Sequence, residues 1–221
     1  SGITKPASFS STPFFIACLS LASIVMSVSV ISAFKKQYPD VQFHLRQGSY
    51  KYLIEAVKSR ELNLAFLGPL PPKDEAIEPL ILFSENIHAL LPASHRLAKQ
   101  PQINLVDLRE EQFVLFPEGY VLRKVAIDAC RSAGFVPNIT TEGEDMDALK
   151  GLVAASIGVT LLPESSLYDS TPRLTVKVPI STPAIRRTVG IISPTNRDLA
   201  PSEQVFIQFV KEFFARLTQF Q

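Results

Sequence analysis

Small hydroxyls and glycines stand directly ahead of three apolar runs in this sequence, a placement suited to anion recognition. Ser10, Ser11 and Thr12 precede the first run, Gly48 and Ser49 open a second, and Pro117, Glu118 and Gly119 precede a third. The first N–H groups of a helix have no intrahelical partner and carry the positive end of its dipole, so they bind anions, and nearby hydroxyls add short polar contacts. Each of these residues also suits plain capping of its own helix. Convergence of the three helix starts at the carboxyl ends of strands would favour a small anionic metabolite as ligand. Arg46 and Arg123 could pair with a carboxylate if they face the cleft, but plain surface solvation is the expected role of either.

Catalytic chemistry finds no comparable set. His44 alternates with apolar neighbours, His88 lies in ENIHALLP, and His95 belongs to the turn PASHRLAKQP. None has a serine, cysteine or carboxylate at a motif spacing, and there is neither a phosphate-cradling glycine loop nor a nucleophile elbow. The acidic run GEDMD at residues 143–147 lacks the alternating ligands and distal glutamate of a calcium loop, while acids in the first turn of a helix suit its dipole. The expectation is a protein that is not an enzyme, with no catalytic residue, metal site or cofactor. Cys18 and Cys130 sit in apolar stretches and suggest a reducing compartment. A balance of 22 Lys and Arg against 21 acidic residues leaves no field for gripping nucleic acid.

The elements that must position these residues alternate between helix and strand. At 221 residues and 46% hydrophobic content the chain can bury a sizeable core. Residues 14–34 carry no charge and exceed the roughly 20 residues that cross a bilayer. Only Lys5 precedes them, serines dilute them, and they flow without a linker into KKQYPDVQFHL, so a buried or interface helix is expected. Val41, Phe43 and Leu45 then alternate as a half-covered strand, Leu53, Ile54 and Val57 mark a helix, and residues 62–67 a second strand, forming a β-α-β unit. After GPLPP come extended segments at 78–83 and 86–91. A second α/β unit follows, with strand 113–116, helix 120–132, strand 138–141, helix 145–157 and strand 159–162. Gly158 is read as the left-handed exit from that helix. Extended segments at 174–178 and 186–192 lead to a final helix whose face carries Val205, Phe206, Phe209, Val210, Phe213, Phe214, Leu217 and Phe220. Two similar halves, a crossing near 84–88 and a return near 189–193 imply an α/β protein of two subdomains joined by two strands. The ligand is expected between them.

The stretch TTEGEDMDALKGLVAASIGVTLLPES at residues 140–165, with AFKKQYPDV at 33–41 and LNLAFLG at 62–68, closely resembles the effector-binding domain of LysR-type transcriptional regulators. The similarity runs through nearly all of the chain from Ala33 onward. It implies two Rossmann-like subdomains joined by two crossover strands in a type II periplasmic-binding-protein-like fold. Subdomain I would comprise residues 1–85 and 190–221, and subdomain II residues 86–189. It further implies a carboxylate-like effector in the inter-subdomain cleft. Ser49 matches the family's effector-binding hydroxyl, Phe116, Pro117 and Glu118 of FPEG match a closing loop, and Met146 an apolar wall. Gly68, ending LNLAFLG, and Thr160, in the strand after Gly158, are further effector-binding candidates. Residues 1–34 are longer than the family's usual opening and contain Pro6 and Pro13, a departure that bears on Ser10, Ser11 and Thr12.

For the whole protein the resemblance implies a bacterial, cytoplasmic regulator whose DNA contact is made only by an N-terminal winged helix-turn-helix absent from this chain. Its homodimer would pair the first helix (14–37) and following strand (41–47) of one chain with the subdomain II helix (119–132) of the other, with tetramers at full length and no membrane partner. The alternative is a secreted solute-binding protein of a transporter with the same fold.

Overall fold

The computed structural model describes residues 13–18, 21–168 and 171–218. In chain order its elements begin with β1 (Phe14–Cys18), α1 (Leu21–Gln37), β2 (Phe43–Gln47), α2 (Tyr50–Lys58), β3 (Leu64–Leu67) and β4 (Ile77–Pro92). There follow β5 (Ile103–Asn104), β6 (Gln112–Leu115), α3 (Val121–Ser132), β7 (Asn138–Glu142), α4 (Met146–Ala154) and β8 (Thr160–Pro163). A 3₁₀ turn, Glu164–Leu167, leads to β9 (Thr175–Val178), β10 (Ile180–Thr182), β11 (Arg186–Pro194) and α5 (Pro201–Thr218). The described residues up to Ser84 and from Thr188 onward form one compact unit, and Glu85–Arg187 form the other. The chain passes between units within β4 and β11.

In unit 1, β1 pairs in parallel with β2 on one edge and β3 on the other, and β11 runs antiparallel to β3. The uncharged run at 14–34 is therefore not one helix: its first five residues are a strand, with Ile16, Ala17 and Cys18 wholly buried. A continuous apolar run has no readable period, so helix and strand look alike in sequence, and pairing on both edges decides for strand. The helical remainder, α1, ends on Lys35 and Lys36, whose charges complement the negative end of its dipole. Among the described residues no helix is long and apolar enough to cross a membrane.

Each face of this sheet has its own core. Phe14, Ile16 and Phe66 pack with Phe34 of α1 and with Phe206, Val210 and Phe214 of α5. On the other side Leu53, Ala56 and Val57 of α2 cover Ala17, Ala65 and Ile192. The phenylalanine stripe on α5 is thus core as its spacing predicts, with Phe34 set edge-on to Phe206 at 5.1 Å. Each fully buried phenylalanine contributes about 1.5–3 kcal/mol. Leu217 departs from the expected stripe and is exposed, and Phe220 lies outside the described residues.

Unit 2 is built on the parallel pair β6 and β7, with Val159 bridging in parallel to Phe113. β4 pairs antiparallel with both β8 and β9. The two extended segments expected at 78–83 and 86–91 are one strand of 16 residues, β4. Gly158 is not the left-handed exit from α4, because Ser156 takes that conformation at φ 60°. Glycine serves at 158 for another reason: a Cβ there would stand 2.6 Å from the Gln112 carbonyl oxygen.

A buried carboxylate fixes the start of α5. Glu203 accepts from Asn63 Nδ2 at 2.7 Å, from both Nη atoms of Arg197 at 2.7 and 2.5 Å, and from the Ala200 N–H at 2.6 Å. Asn63 Oδ1 in turn accepts the Phe15 N–H at 2.7 Å, joining the anchor to β1. Burial alone would raise the Glu203 carboxyl, but these hydrogen bonds and the Arg197 charge hold it below its usual value. A depressed folded-state pKa means stability that is present above the unfolded value and lost as pH falls through the folded one. Glu203→Gln should therefore cost about 2 kcal/mol in urea unfolding near pH 7. The gap to the parent should narrow as pH falls below the ordinary glutamate range; a gap independent of pH would contradict this role.

Candidate functional site

Because β2, β1 and β3 are parallel neighbours, their carboxyl ends reach one edge of the unit 1 sheet. Gly48 and Ser49 follow β2 there, and Gly68 follows β3. The Gly48 N–H donates to the Cys18 carbonyl at 3.3 Å, which ties this loop to the end of β1. Ser49 is the N-cap of α2, extended at φ −68° and ψ 156°, and its Oγ accepts from the Tyr52 N–H at 3.3 Å. Capping uses the oxygen as acceptor, so the hydroxyl hydrogen is still a donor for a second partner. Gly48 is crowded: a Cβ would lie 2.4 Å from Cδ1 of the Tyr52 ring. Gly68, buried, is joined to Pro69 by a cis peptide bond.

Ser10, Ser11 and Thr12 lie outside the described residues. The first helix does not begin at Phe14 as expected, because Phe14–Cys18 is strand β1 and α1 begins at Leu21. In sequence the residue directly before α1 is Ser20, also outside the described residues. Arg46 does not wait for a ligand either. Its Nη1 lies 3.0 Å from Glu61 Oε1, its guanidinium sits 5.5 Å from the centre of the Phe15 ring, and Tyr52 donates to the same glutamate oxygen at 2.7 Å.

In unit 2 the parallel pairing of β6 and β7 brings the loops at their carboxyl ends together, and the Gly143 N–H donates to the Leu115 carbonyl at 3.1 Å. Arg123 brackets both loops: its Nη1 donates to the Phe116 carbonyl at 2.7 Å and to the Glu142 carboxylate at 2.6 Å. Phe116 is buried in a cluster with Leu122 and Leu149, against which Met146 packs, and its ring stacks on Tyr120 with centroids 5.3 Å apart. Pro117 is half-buried and Glu118 exposed. These residues and Gly119 are not the cap of α3, contrary to expectation. That position belongs to Tyr120, which makes no side-chain cap bond, while Gly119 turns the chain at φ 89°.

The start of α4 is occupied in a way that α3 is not. Asp145 is its N-cap and accepts from the Ala148 N–H at 2.7 Å, with Asp147 in the first turn. Two carboxylates there already satisfy the positive end of the dipole and would repel another anion. Thr160 is separate from the loop residues. It begins β8 opposite Leu90, is fully buried, and its Oγ1 has no hydrogen-bond partner among the described residues.

Of the expected site residues, Gly48, Ser49 and Gly68 lie at the strand-end edge of unit 1, and Phe116, Pro117, Glu118 and Met146 at that of unit 2. Sequence reasoning did not foresee the stacking of Tyr120 on Phe116, and it left Arg123 between a conditional ligand partner and a solvated surface side chain, where it is an internal bracket. The histidines form no catalytic set. His44 stacks on Phe15 at 4.9 Å, and His95 accepts the Leu97 N–H at Nδ1 and lies 3.1 Å from Glu111. Burial lowers the His88 pKa, against the opposing pull of Glu164 at 3.9 Å.

Residues 10–215 match the family model described as the LysR substrate binding domain. The chain belongs to this family. It is 59% identical over 202 residues to the transcriptional dual regulator GltC of Bacillus subtilis strain 168, covering 91% of the chain and 67% of that protein. It is 33% identical over 186 residues to YybE of the same organism, described as an uncharacterized HTH-type transcriptional regulator, covering 84% and 63%. The chain thus spans about two thirds or less of the length of these relatives. Among solved structures it resembles the effector binding domain of QuiR in complex with shikimate, with TM-score 0.82, 22% identity, and 93% and 98% of the two chains covered. The BenM effector binding domain with its effector benzoate is similar at TM-score 0.81 and 21% identity, with 93% of each chain covered. Likeness at that identity carries the type II periplasmic-binding-protein-like fold. The family is one of transcriptional regulators, not of enzymes, and it favours a regulator over a secreted solute-binding protein.

The cap role of Ser49 can be separated from any ligand role. Ser49→Ala should cost about 1 kcal/mol of unfolding free energy and Ser49→Gly only a few tenths. Urea midpoints of the ligand-free variants measure both, and an alanine variant as stable as its parent would remove the cap from the account.

Proposed function

We propose that the chain is the ligand-sensing part of a LysR-type DNA-binding regulator and that it binds a small carboxylate-bearing metabolite to control transcription. Its binding surface is the strand-end edge of unit 1, and the strand-end edge of unit 2 offers a second set of groups. The observation that carries this reading is that Gly48 and Ser49, at the start of α2, and Gly68, after β3, leave the sheet at the same strand-end edge. That edge offers the Ser49 hydroxyl hydrogen and the positive end of a helix dipole to one ligand. The loop of Phe116, Pro117 and Glu118, with Met146 packed against the Phe116 cluster, supplies the second set of groups. Shikimate and benzoate, held by the QuiR and BenM domains, are both carboxylates and fit this chemistry.

The effector acts by favouring one state of the domain, and it shifts only an equilibrium whose two states it binds differently. Paired chains carry the change to DNA-binding heads that lie outside this chain, in homodimers and full-length tetramers in the cytoplasm. The pairing sets α1 and β2 of one chain against α3 of its partner. In support, β2 ends the described sheet as its outer strand, and Leu45 on β2 and Val28 on α1 are exposed. An unpaired strand edge with exposed apolar residues suits a protein partner.

Thermal melting across a panel of small carboxylates, amino acids and phosphorylated metabolites tests the sensing role. A true effector at about 100 times its Kd should stabilise the chain by about 2.7 kcal/mol. The ligand-induced shift, measured against each protein's own ligand-free melting point, should shrink in Ser49→Ala. A panel without any shift would sink the carboxylate reading.

A further inference from the structure

Where the chain passes between units, the two strands carry a buried ion pair that the binding surface does not use. Glu85 is the first residue of unit 2 on β4, and Arg187 is its last on β11. Both side chains are only 7% exposed, and Arg187 approaches Glu85 Oε1 with Nε at 2.7 Å and with Nη2 at 2.6 Å. A planar guanidinium fixed by two bonds on one carboxylate holds its orientation as well as its distance. Two residues farther into unit 2, the Ile87 N–H donates to the Ile185 carbonyl at 2.8 Å.

The other oxygen of Glu85 reaches beyond the strands. Its Oε2 accepts the Ser165 N–H at 2.8 Å, in the turn Glu164–Leu167 that follows β8. That turn is gripped a second time by Lys150 of α4, a buried lysine whose Nζ donates to the Ser166 carbonyl. The Ser166 hydroxyl closes the turn on the Pro163 carbonyl at 2.7 Å. Two charges of opposite sign, one from a crossing strand and one from α4, therefore hold adjacent backbone groups of one short turn. A pair of this kind adds little net stability over apolar residues of similar volume, because desolvation offsets its attraction, so setting a register is the better account of it.

We infer that Glu85 and Arg187 are a positioning clamp that aligns the two crossing strands and, through Ser165, Ser166 and Lys150, couples that alignment to α4. α4 begins at Met146 and β8 at Thr160, so movement at the proposed effector surface of unit 2 reaches the crossings through the turn they share. This purpose rests on the sensing role proposed above. The clamp itself is tested without any effector.

The test is amide hydrogen exchange on the ligand-free 221-residue chain. The double variant Glu85→Met with Arg187→Met avoids the unpaired buried charge that a single change would leave, and should melt close to the parent. Exchange at Ile87 should rise roughly tenfold or more, with the Val114 and Val159 amides at the β6 bridge unchanged. Lys150→Met, which leaves the pair intact, should speed Ser165 and Ile87 by a smaller factor. Parental exchange at Ile87 in the double variant would overturn the clamp, and parental exchange at Ile87 in Lys150→Met would overturn the coupling to α4. Equal acceleration of all amides, Val114 and Val159 included, would make the pair a general stabiliser and overturn the proposal as well.

Discussion

Every backbone N–H and C=O of a buried strand has to find a partner, and in unit 1 that requirement holds β1 between β2 and β3. The rest of the candidate site depends on this arrangement. Because the three strands are parallel, the chain must leave all of them at one edge, and it does so through Gly48 and Ser49 after β2 and Gly68 after β3. The helices that follow or return, α1, α2 and α5, cover the faces. Among the described residues, the edge is thereby left to backbone N–H groups, small residues and the Ser49 hydroxyl. The binding chemistry proposed for this edge is a by-product of satisfying the backbone of a two-sided sheet.

The polar interior of each unit follows a second rule, that a buried charge is kept only where it is fully bonded. Glu203 in unit 1 joins the start of α5 to Asn63 and through it to β1. Glu85 in unit 2 joins β4, β11 and the turn after β8. In both cases an arginine supplies the counter-charge and a backbone N–H takes part, so the carboxylate acts as a joint among separate chain segments. Hydrophobic packing supplies the bulk of the stability, and these joints decide which segments stay in register.

Much of this organisation was legible in the sequence, for identifiable reasons. The alternation of Val41, Phe43 and Leu45, the spacing of Leu53 and Val57, and the apolar run ending at Leu67 carry distinct periods, so the first β-α-β unit could be read directly. The α5 stripe was legible for the same reason, and Ser49 because a hydroxyl before an amphipathic run has a local job. The failures have a common origin in contacts distant along the chain. Residues 14–18 became strand because neighbours far away in sequence pair with both edges. Gly158 is needed for its approach to Gln112, not for its own backbone angle. Tyr120 took the α3 cap position, and Arg123 was drawn to Glu142, by placements that no local pattern encodes. β2 reads as half-covered by its alternation, yet it is the outer strand of the described sheet and largely exposed.

The central claim is that a small carboxylate is held at the strand-end edges of this domain, with Ser49 among its contacts. A heteronuclear NMR titration of the isotopically labelled chain with the most stabilising carboxylate tests it most directly, because it reports where the ligand acts residue by residue. The account predicts amide shifts concentrated at residues 48–53 and at 116–121 with saturable behaviour, and little change along the exposed face of α5. Shifts centred elsewhere, or spread weakly over the surface lysines and arginines without saturation, would contradict it.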